Sequence, residues 1–279
     1  MKLNNGIECP VIGLGTFMLS PEEAKMSTRE ALKMGYRLVD TANAYVNERA
    51  VGRGIKESGI ERKDIFLSTK LWPSEYENPN AVDETLSRLG TDYIDLLFIH
   101  QPTKNWREGY KQLITTYKSG KIRSIGISNF EGKYIEELLK EFDILPQVIQ
   151  VECHPFFPQT DLRKITEEKN IRLMSWYPLG GKGMTAELLE NPIVTSIAKK
   201  KGKSVAQVVL KWHNEMGFIV IPGSKNPAHI KDNISLFDFE LDENDMAEMS
   251  KLNKNSRRYI RTEEALDNFQ NWKPEYEKA

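Results

Sequence analysis

The chain has 279 residues, enough to bury a large core in one α/β barrel or in two average domains. Lys and Arg total 39 against 40 Asp and Glu, and a net charge of −1 without basic runs excludes nucleic acid and anionic membranes as partners. The two cysteines, Cys9 and Cys153, form no CxxC pair, which is typical of a reduced, intracellular protein.

The first residues are polar and lack the apolar region of a signal peptide. No later apolar run approaches the roughly 20 residues of a membrane span, so we expect a cytoplasmic protein with no membrane partner. Residues 3–7 carry Asn-Gly between apolar residues, which is the strongest short signal for a hairpin. The sequence therefore predicts an N-terminal β-hairpin.

Eight short β-rich runs follow the hairpin, and amphipathic helical patterns separate them. Most are apolar throughout, as expected of strands that are covered on both faces. The runs are residues 11–14, 36–39, 65–67, 93–99, 122–127, 148–151, 171–176 and 218–221. Eight strand–helix units in a chain of this length favour a closed (β/α)8 TIM barrel over an open, doubly wound sheet. We expect one α/β domain over residues 1–279.

Several helix starts are marked by a capping residue followed by proline. Ser20-Pro21 with Glu23 predicts a capping box at the start of the first helix. The cap-then-proline pattern recurs at Asn78-Pro79, Asn191-Pro192 and Asn226-Pro227. Residues 253–279 have no place in the count of eight units. We expect this extended C-terminal segment to wrap over the barrel surface.

Polar residues stand where several of the strand runs end. Asp40, Lys70 and His100 are thirty residues apart, so neighbouring strands bring them to one mouth of the barrel. Taken singly, the Asp-Lys pair is more often a structural salt bridge, and a strand-end His is more often merely hydrogen-bonded. Tyr45, on the loop past the second strand, adds a phenol whose pKa a neighbouring ammonium lowers. The set is typical of general acid catalysis, which carbonyl reduction needs because the oxygen gains negative charge.

These residues lie in motifs that resemble those of the aldo-keto reductase family. The first motif is Gly35-Tyr36-Arg37-Leu38-Val39-Asp40-Thr41-Ala42, followed after five residues by Glu48-Arg49-Ala50-Val51-Gly52. Later matches are Lys70-Leu71-Trp72, Asp92-Tyr93-Ile94-Asp95-Leu96, Gly126-Ile127-Ser128-Asn129-Phe130, Gln150-Val151-Glu152-Cys153-His154-Pro155 and Ile221-Pro222-Gly223-Ser224. They follow the family's order over nearly the whole chain. The chain is similar above all to short bacterial members, of the 2,5-diketo-D-gluconate reductase and prostaglandin F synthase-like kind.

The resemblance implies an enzyme, an NAD(P)H-dependent oxidoreductase of EC 1.1.1 type that reduces aldehydes and ketones to alcohols. It implies a small-molecule carbonyl substrate, a monomer and no metal. Asp40, Tyr45, Lys70 and His100 match the catalytic residues, with Tyr45 as the general acid. The positions that match cofactor contacts are Thr16, Asp40, Ser128, Asn129, Gln150, Trp176, Pro178, Leu179, Ile221, Gly223, Ser224, Lys225, His229, Asp232 and Asn233. The positions that match the substrate pocket are Phe17, Tyr45, Trp72, His100 and Gln101.

Two positions depart from the pattern of NADP-selective relatives. Those relatives carry a lysine and an arginine where this chain has Gly223 and His229, so two permanent cations are missing from the 2′-phosphate site. Ser224 and Lys225 remain and could hold a phosphate. We therefore expect NADP(H) as the cofactor, with NAD(H) plausible as well.

Two other functions stay open at the level of the sequence. A non-enzymatic binding or sensing protein on the same scaffold would need no complete catalytic set, and this chain has one. A barrel aldolase would use Lys70 as a Schiff base, which requires a desolvated lysine or one beside other cations. Lys70 is instead expected beside Asp40, which keeps it protonated. Nothing in the sequence names the substrate.

Overall fold

Eight parallel strands with intervening helices form the fold in the computed structural model, which describes residues 1–277. The strands are β1 (Leu14–Gly15), β2 (Leu38–Asp40), β3 (Phe66–Leu71), β4 (Leu96–Ile99), β5 (Ile125–Ser128), β6 (Val148–Glu152), β7 (Arg172–Trp176) and β8 (Ile219–Val220). They pair in sequence order, and the Gly13 amide donates to Val220 O at 2.9 Å, which closes the sheet between β1 and β8. The predicted (β/α)8 barrel is confirmed, and each predicted run overlaps an observed strand.

Twelve α-helices surround the barrel within residues 1–277. They are α1 (Pro21–Lys33), α2 (Glu48–Ser58), α3 (Ala81–Leu89), α4 (Trp106–Lys118), α5 (Lys133–Glu141), α6 (Thr160–Glu168), α7 (Thr185–Leu189), α8 (Pro192–Lys201), α9 (Val205–Glu215), α10 (Pro227–Ile234), α11 (Glu243–Ser250) and α12 (Glu263–Asn271). None of these helices is long and apolar enough to serve as a membrane span.

The predicted helix starts hold at three of four places. Ser20 and Glu23 form the capping box of α1, and Asn191 and Asn226 accept amide hydrogen bonds at the starts of α8 and α10. The start predicted at Asn78-Pro79 is wrong, because α3 begins at Ala81. The Asn78 side chain accepts the amide of Asn80 two residues on, which forms an Asx turn before the helix.

The predicted N-terminal hairpin is a tight turn with a single antiparallel bridge between Lys2 and Glu8. It lies across the amino-terminal end of the barrel, where Leu3 and Cys9 pack in one buried cluster with Phe66 and other strand residues. Apolar side chains therefore fill that end of the barrel. The carboxyl ends of the strands, where loops converge, form the opposite mouth.

The C-terminal segment wraps over the barrel, as predicted, and the structure shows that it crosses this mouth. The Trp72 indole N–H donates to Trp272 O at 3.1 Å, and the Ser74 and Tyr276 hydroxyls lie 2.6 Å apart. The buried Glu152 carboxylate at the end of β6 accepts the Tyr259 amide at 3.0 Å. These contacts fix residues 253–277 over the barrel; residues 278–279 of the predicted segment lie outside the described residues.

Candidate active site

A buried ion pair between Asp40 and Lys70 lies at the base of the mouth. Lys70 Nζ is 2.5 Å from Asp40 Oδ2 and donates to Thr41 O at 2.8 Å. The other Asp40 oxygen accepts from the Ser68 hydroxyl at 2.8 Å and from Gln150 Nε2 at 3.1 Å. Burial lowers the pKa of Lys70, and the neighbouring Asp40 opposes that effect. Both charges have the hydrogen bonds that a buried pair requires.

Tyr45 lies directly above this ion pair, on a short 3-10 turn after β2. Its ring centroid is 5.1 Å from Lys70 Nζ and 5.8 Å from the His100 ring. Burial raises the pKa of Tyr45 well above its usual value, and the Asp40 charge raises it further. The lowered pKa expected from the sequence thus has the wrong sign, because burial of the phenol dominates and Asp40 compensates the lysine charge at 2.5 Å. The phenol is protonated at neutral pH.

His100 follows β4 and completes the cluster of four. Its backbone N–H donates to Leu71 O at 3.0 Å, and its ring packs edge-on to Trp72 with centroids 5.0 Å apart. Nδ1 is buried and has no hydrogen-bond partner within residues 1–277. Burial lowers the pKa of His100 well below its usual range, and the charges of Lys70 and Arg261 lower it further. The imidazole is therefore neutral and can donate one hydrogen bond.

Asn129 connects the ends of three strands beside His100. Its side-chain amide donates to His100 O at 3.0 Å and to the Ser128 hydroxyl at 3.1 Å. Its Oδ1 accepts the Trp176 indole N–H at 3.1 Å. The Trp176 ring is thereby held by its edge while the side chain stays partly exposed. Gln150, on β6, donates to the Asp40 carboxylate. Four cofactor residues predicted at the ends of β5, β6 and β7 therefore lie at one mouth: Ser128, Asn129, Gln150 and Trp176.

Three further predicted cofactor positions lie close to this cluster in the chain or in space. Thr16 is buried after β1, and its hydroxyl donates to Asp40 O at 3.1 Å. Pro178 is buried and Leu179 half-buried just past β7. Tyr177, which the sequence analysis did not single out, lies between Trp176 and Phe17, at centroid distances of 5.0 and 6.4 Å.

The remaining predicted cofactor positions lie after β8, around the start of α10. Gly223, Lys225 and His229 are exposed, Ser224 is half-exposed, and Ile221 is buried. Asp232 accepts the Ser204 hydroxyl at 2.6 Å, which ties α10 to the start of α9. Asn233 is buried on the same helix.

Gly223 also has a structural explanation, independent of any cofactor. A Cβ at this position would lie 2.9 Å from Gly15 O, and the Gly15 amide donates to Pro222 O at 3.2 Å. The backbone at the end of β1 and the backbone after β8 therefore meet here. A lysine at position 223 would force the two segments apart.

Lys225, the cation that remains at this site, is already paired. Its Nζ lies 2.8 Å from the Glu23 carboxylate on α1. The sequence predicts Glu23 only as part of the capping box of α1, not as a partner of Lys225. No local pattern links residues that are two hundred positions apart.

The predicted substrate positions line the outer part of the mouth. Phe17 is half-exposed and packs on Tyr45 at 5.0 Å between centroids. Trp72 packs edge-on to Trp272 at 5.0 Å. Gln101 is buried, and its Oε1 has no hydrogen-bond partner within residues 1–277. The mouth thus combines an aromatic wall with unpaired polar atoms, as is typical of binding sites for small polar molecules.

The structure offers little support for a metal or a Schiff base. His154 Nε2 lies 3.1 Å from the Glu152 carboxylate, and no group of three potential ligands is arranged for a metal in the described part of the chain. Lys70 Nζ is fully buried against Asp40 and Thr41 O. Burial alone would suit a Schiff-base lysine, but these two contacts hold the amine in the ion pair with Asp40.

Comparison with known proteins identifies the family of this chain. The aldo/keto reductase family model matches residues 11–254. Glyoxal reductase of Bacillus subtilis (strain 168) is 44% identical over 92% of this chain and 94% of that protein. Methylglyoxal reductase DkgA of Escherichia coli (strain K12) is 36% identical over 92% and 94%, respectively. A solved aldo/keto reductase from Brucella melitensis is 45% identical, covers 91% of this chain and 98% of that chain, and superposes with a TM-score of 0.86.

The relatives include short bacterial reductases, and the matches extend over almost the whole length of both chains. The resemblance carried by the motifs around Asp40, Lys70 and His100 is thereby confirmed. The chain belongs to the aldo/keto reductase family.

Proposed function

We propose that this protein reduces aldehydes and ketones to alcohols with NAD(P)H, and that Tyr45 delivers the proton to the carbonyl oxygen. Membership of the family supports an oxidoreductase that acts on carbonyl compounds with a nicotinamide cofactor. One observation carries the proposal: a protonated phenol, a neutral imidazole and a buried Lys–Asp pair meet at the mouth of the barrel.

The residues at this mouth fit a nicotinamide nucleotide. Trp176, held by its indole N–H, offers a partly exposed ring on which a flat heterocycle can stack. Ser128, Asn129 and Gln150 supply side-chain hydrogen-bonding groups beside it for a carboxamide. The cofactor, when bound, supplies a hydride. The start of α10 with Ser224 and Lys225 would hold phosphate, since exposed helix amides favour anions.

Proton transfer in this proposal depends on the raised pKa of Tyr45. A phenol that stays protonated at neutral pH keeps its proton until the substrate oxygen becomes strongly basic. The neutral His100 ring would donate a hydrogen bond to the same oxygen and so orient the carbonyl. Lys70, 5.1 Å from the phenol ring centroid, would stabilise the phenolate that remains. Asp40 fixes the lysine in that position.

Small aldehydes and dicarbonyl compounds are the proposed substrates. Two relatives carry the names glyoxal reductase and methylglyoxal reductase. In this chain the half-exposed Phe17 and the buried, unpaired Gln101 oxygen would face such a substrate. We further propose a single domain over residues 1–279 that works as a cytoplasmic monomer.

The test of the proposed function is oxidation of the reduced nicotinamide nucleotide, followed by the loss of its near-ultraviolet absorbance. Purified protein is offered glyoxal, methylglyoxal, simple aldehydes and keto-sugars with NADPH or NADH. We expect oxidation with at least the dicarbonyls and equal formation of alcohol. Absence of oxidation with every substrate and both nucleotides would reject the proposal.

The structure suggests a specific result for cofactor preference. Because Glu23 neutralises Lys225, we expect kcat/KM to favour NADPH over NADH by less than about a thousandfold. Glu23→Gln frees the lysine for the 2′-phosphate, so the ratio should rise about two- to fivefold, a modest change because the pair is exposed to solvent. Steady-state kinetics with both nucleotides measure it.

The matched control is Glu22→Gln on the same helix, where Glu22 pairs with Lys25 at 2.7 Å instead. It removes the same charge, one residue away from the Lys225 pair, and should leave the nucleotide ratio unchanged. Equal ratios in the two variants would show that Glu23 has no specific part in cofactor choice.

A further inference from the structure

Arg261, in the C-terminal segment, carries a largely buried charge with few partners. Its side chain is 9% exposed. Among its five N–H donors the structure gives one hydrogen bond, from Nη1 to Asn129 O at 3.3 Å. Nε is buried and has no partner within residues 1–277. A guanidinium in such surroundings has donors to spare for a ligand.

Two carboxylates lie near Arg261, those of Glu131 and Glu152, and both are already engaged by other donors. Arg257 Nη2 donates to both oxygens of Glu131, at 2.7 and 2.6 Å. Arg261 Nη1 lies 3.7 Å from the same carboxylate, beyond hydrogen-bond range. Both carboxylates act on the charge of Arg261 from a distance, but within residues 1–277 neither accepts a hydrogen bond from it.

Arg261 lies against the catalytic cluster. Asn129, whose carbonyl accepts from Arg261, also donates through its side chain to His100 O at 3.0 Å. The charge of Arg261 is one of the causes that lower the pKa of His100. Tyr259 stands beside the guanidinium, with the ring centroid 5.5 Å from Cζ. The aromatic wall continues from Tyr259 through Phe269 to Trp72.

The unused donors of Arg261 favour an anion at the mouth. Asp40 neutralises Lys70 at 2.5 Å, and the side chains of the wall are aromatic. Arg261 is thus a cation next to His100 with unused N–H donors, in surroundings of low polarity that strengthen attraction to an anion. We propose that Arg261 binds an anionic group of the substrate, so that carbonyl compounds bearing a carboxylate are preferred. The inference rests on the proposed function and adds the substrate class.

A purely structural part for Arg261, as an anchor of the C-terminal segment, has less support. Glu152 already accepts the Tyr259 amide at 3.0 Å, two residues before Arg261. Farther along, Trp272 O accepts the Trp72 indole N–H at 3.1 Å. The segment is therefore fixed on both sides of Arg261 without the guanidinium.

The experiment compares 4-carboxybenzaldehyde with its methyl ester, which has a similar shape and no charge. We expect kcat/KM of the wild type to favour the acid by about ten- to hundredfold, the range of a charge-assisted hydrogen bond, mainly through KM. Arg261→Gln should lose that preference while its kcat/KM for the ester stays within about threefold of the wild type. Arg261→Lys, which keeps the charge, should retain much of the preference.

Arg258→Gln is the matched control, because Arg258 lies in the same segment but is exposed and donates to Lys182 O. It should leave the preference for the acid unchanged. A preference that falls equally in both Gln variants would mean a general charge effect and would overturn the assignment. Equal kcat/KM of the wild type for the acid and the ester would also overturn the assignment. The proposed reductase function would not be affected by that result.

A binding measurement separates this inference from the proposed function. Quenching of tryptophan fluorescence by benzoate and by benzamide measures affinity without turnover, since Trp72, Trp176 and Trp272 lie at the mouth. Tighter binding of benzoate that disappears in Arg261→Gln supports the anion site even in a protein that oxidises no nucleotide. Equal affinity for the two ligands in the wild type rejects it.

Discussion

Tyr45→Phe is expected to lower kcat for a small aldehyde by about 10²- to 10⁴-fold, the usual contribution of a general acid. The substitution removes one hydroxyl and leaves the ring, whose contacts with Phe17 and His100 hold it in place. Affinity for the nucleotide should therefore stay within about twofold of the wild type. Single-turnover kinetics and a fluorescence titration with NADPH measure the two quantities.

The control for this substitution is Tyr93→Phe, the same chemical change before β4 at the opposite end of the barrel. The Tyr93 hydroxyl donates to Arg62 O at 3.3 Å, far from the mouth in the topology of the sheet. Its kcat should match the wild type. If Tyr45→Phe kept more than about a tenth of the activity, another group would have to supply the proton.

The strand-end residues were predictable because the barrel repeats. A spacing of one βα unit between Asp40, Lys70 and His100 places them on neighbouring strands, and the structure brings them to one mouth. Asn129 follows the same logic at the end of β5, whereas Trp176 at the end of β7 was predicted only from the resemblance to the family. Local periodicity and strand order together predict such a site.

Contacts between distant segments could not be predicted from local periodicity and strand order. Glu23 meets Lys225 and Arg261 meets Asn129 through packing of α1 and of the C-terminal segment, for which no repeat sets the register. The pKa of Tyr45 had the wrong expected sign for a related reason. The phenol is buried only once the mouth is assembled, so the sequence indicated the nearby lysine but not the burial that raises the pKa.

Lys70→Met is expected to abolish measurable turnover and to lower the free energy of unfolding by about 3–5 kcal/mol. Methionine has a similar volume, so the loss comes from the charge. Without the ammonium, the buried Asp40 carboxylate keeps only its hydrogen bonds from Ser68 and Gln150. Urea unfolding followed by tryptophan fluorescence gives the stability, and nucleotide oxidation gives the activity.

The double variant Asp40→Asn/Lys70→Met separates the two effects. Removing both charges eliminates the unpaired carboxylate, so much of the lost stability should return, since replacing a buried pair is often close to neutral. Activity should not return, because no ammonium then lies 5.1 Å from the Tyr45 ring centroid to stabilise the phenolate. A double variant that is stable and fully active would show that the ion pair serves the fold alone. A Lys70→Met protein within about 1 kcal/mol of the wild type would mean that Asp40 takes up a proton at little cost.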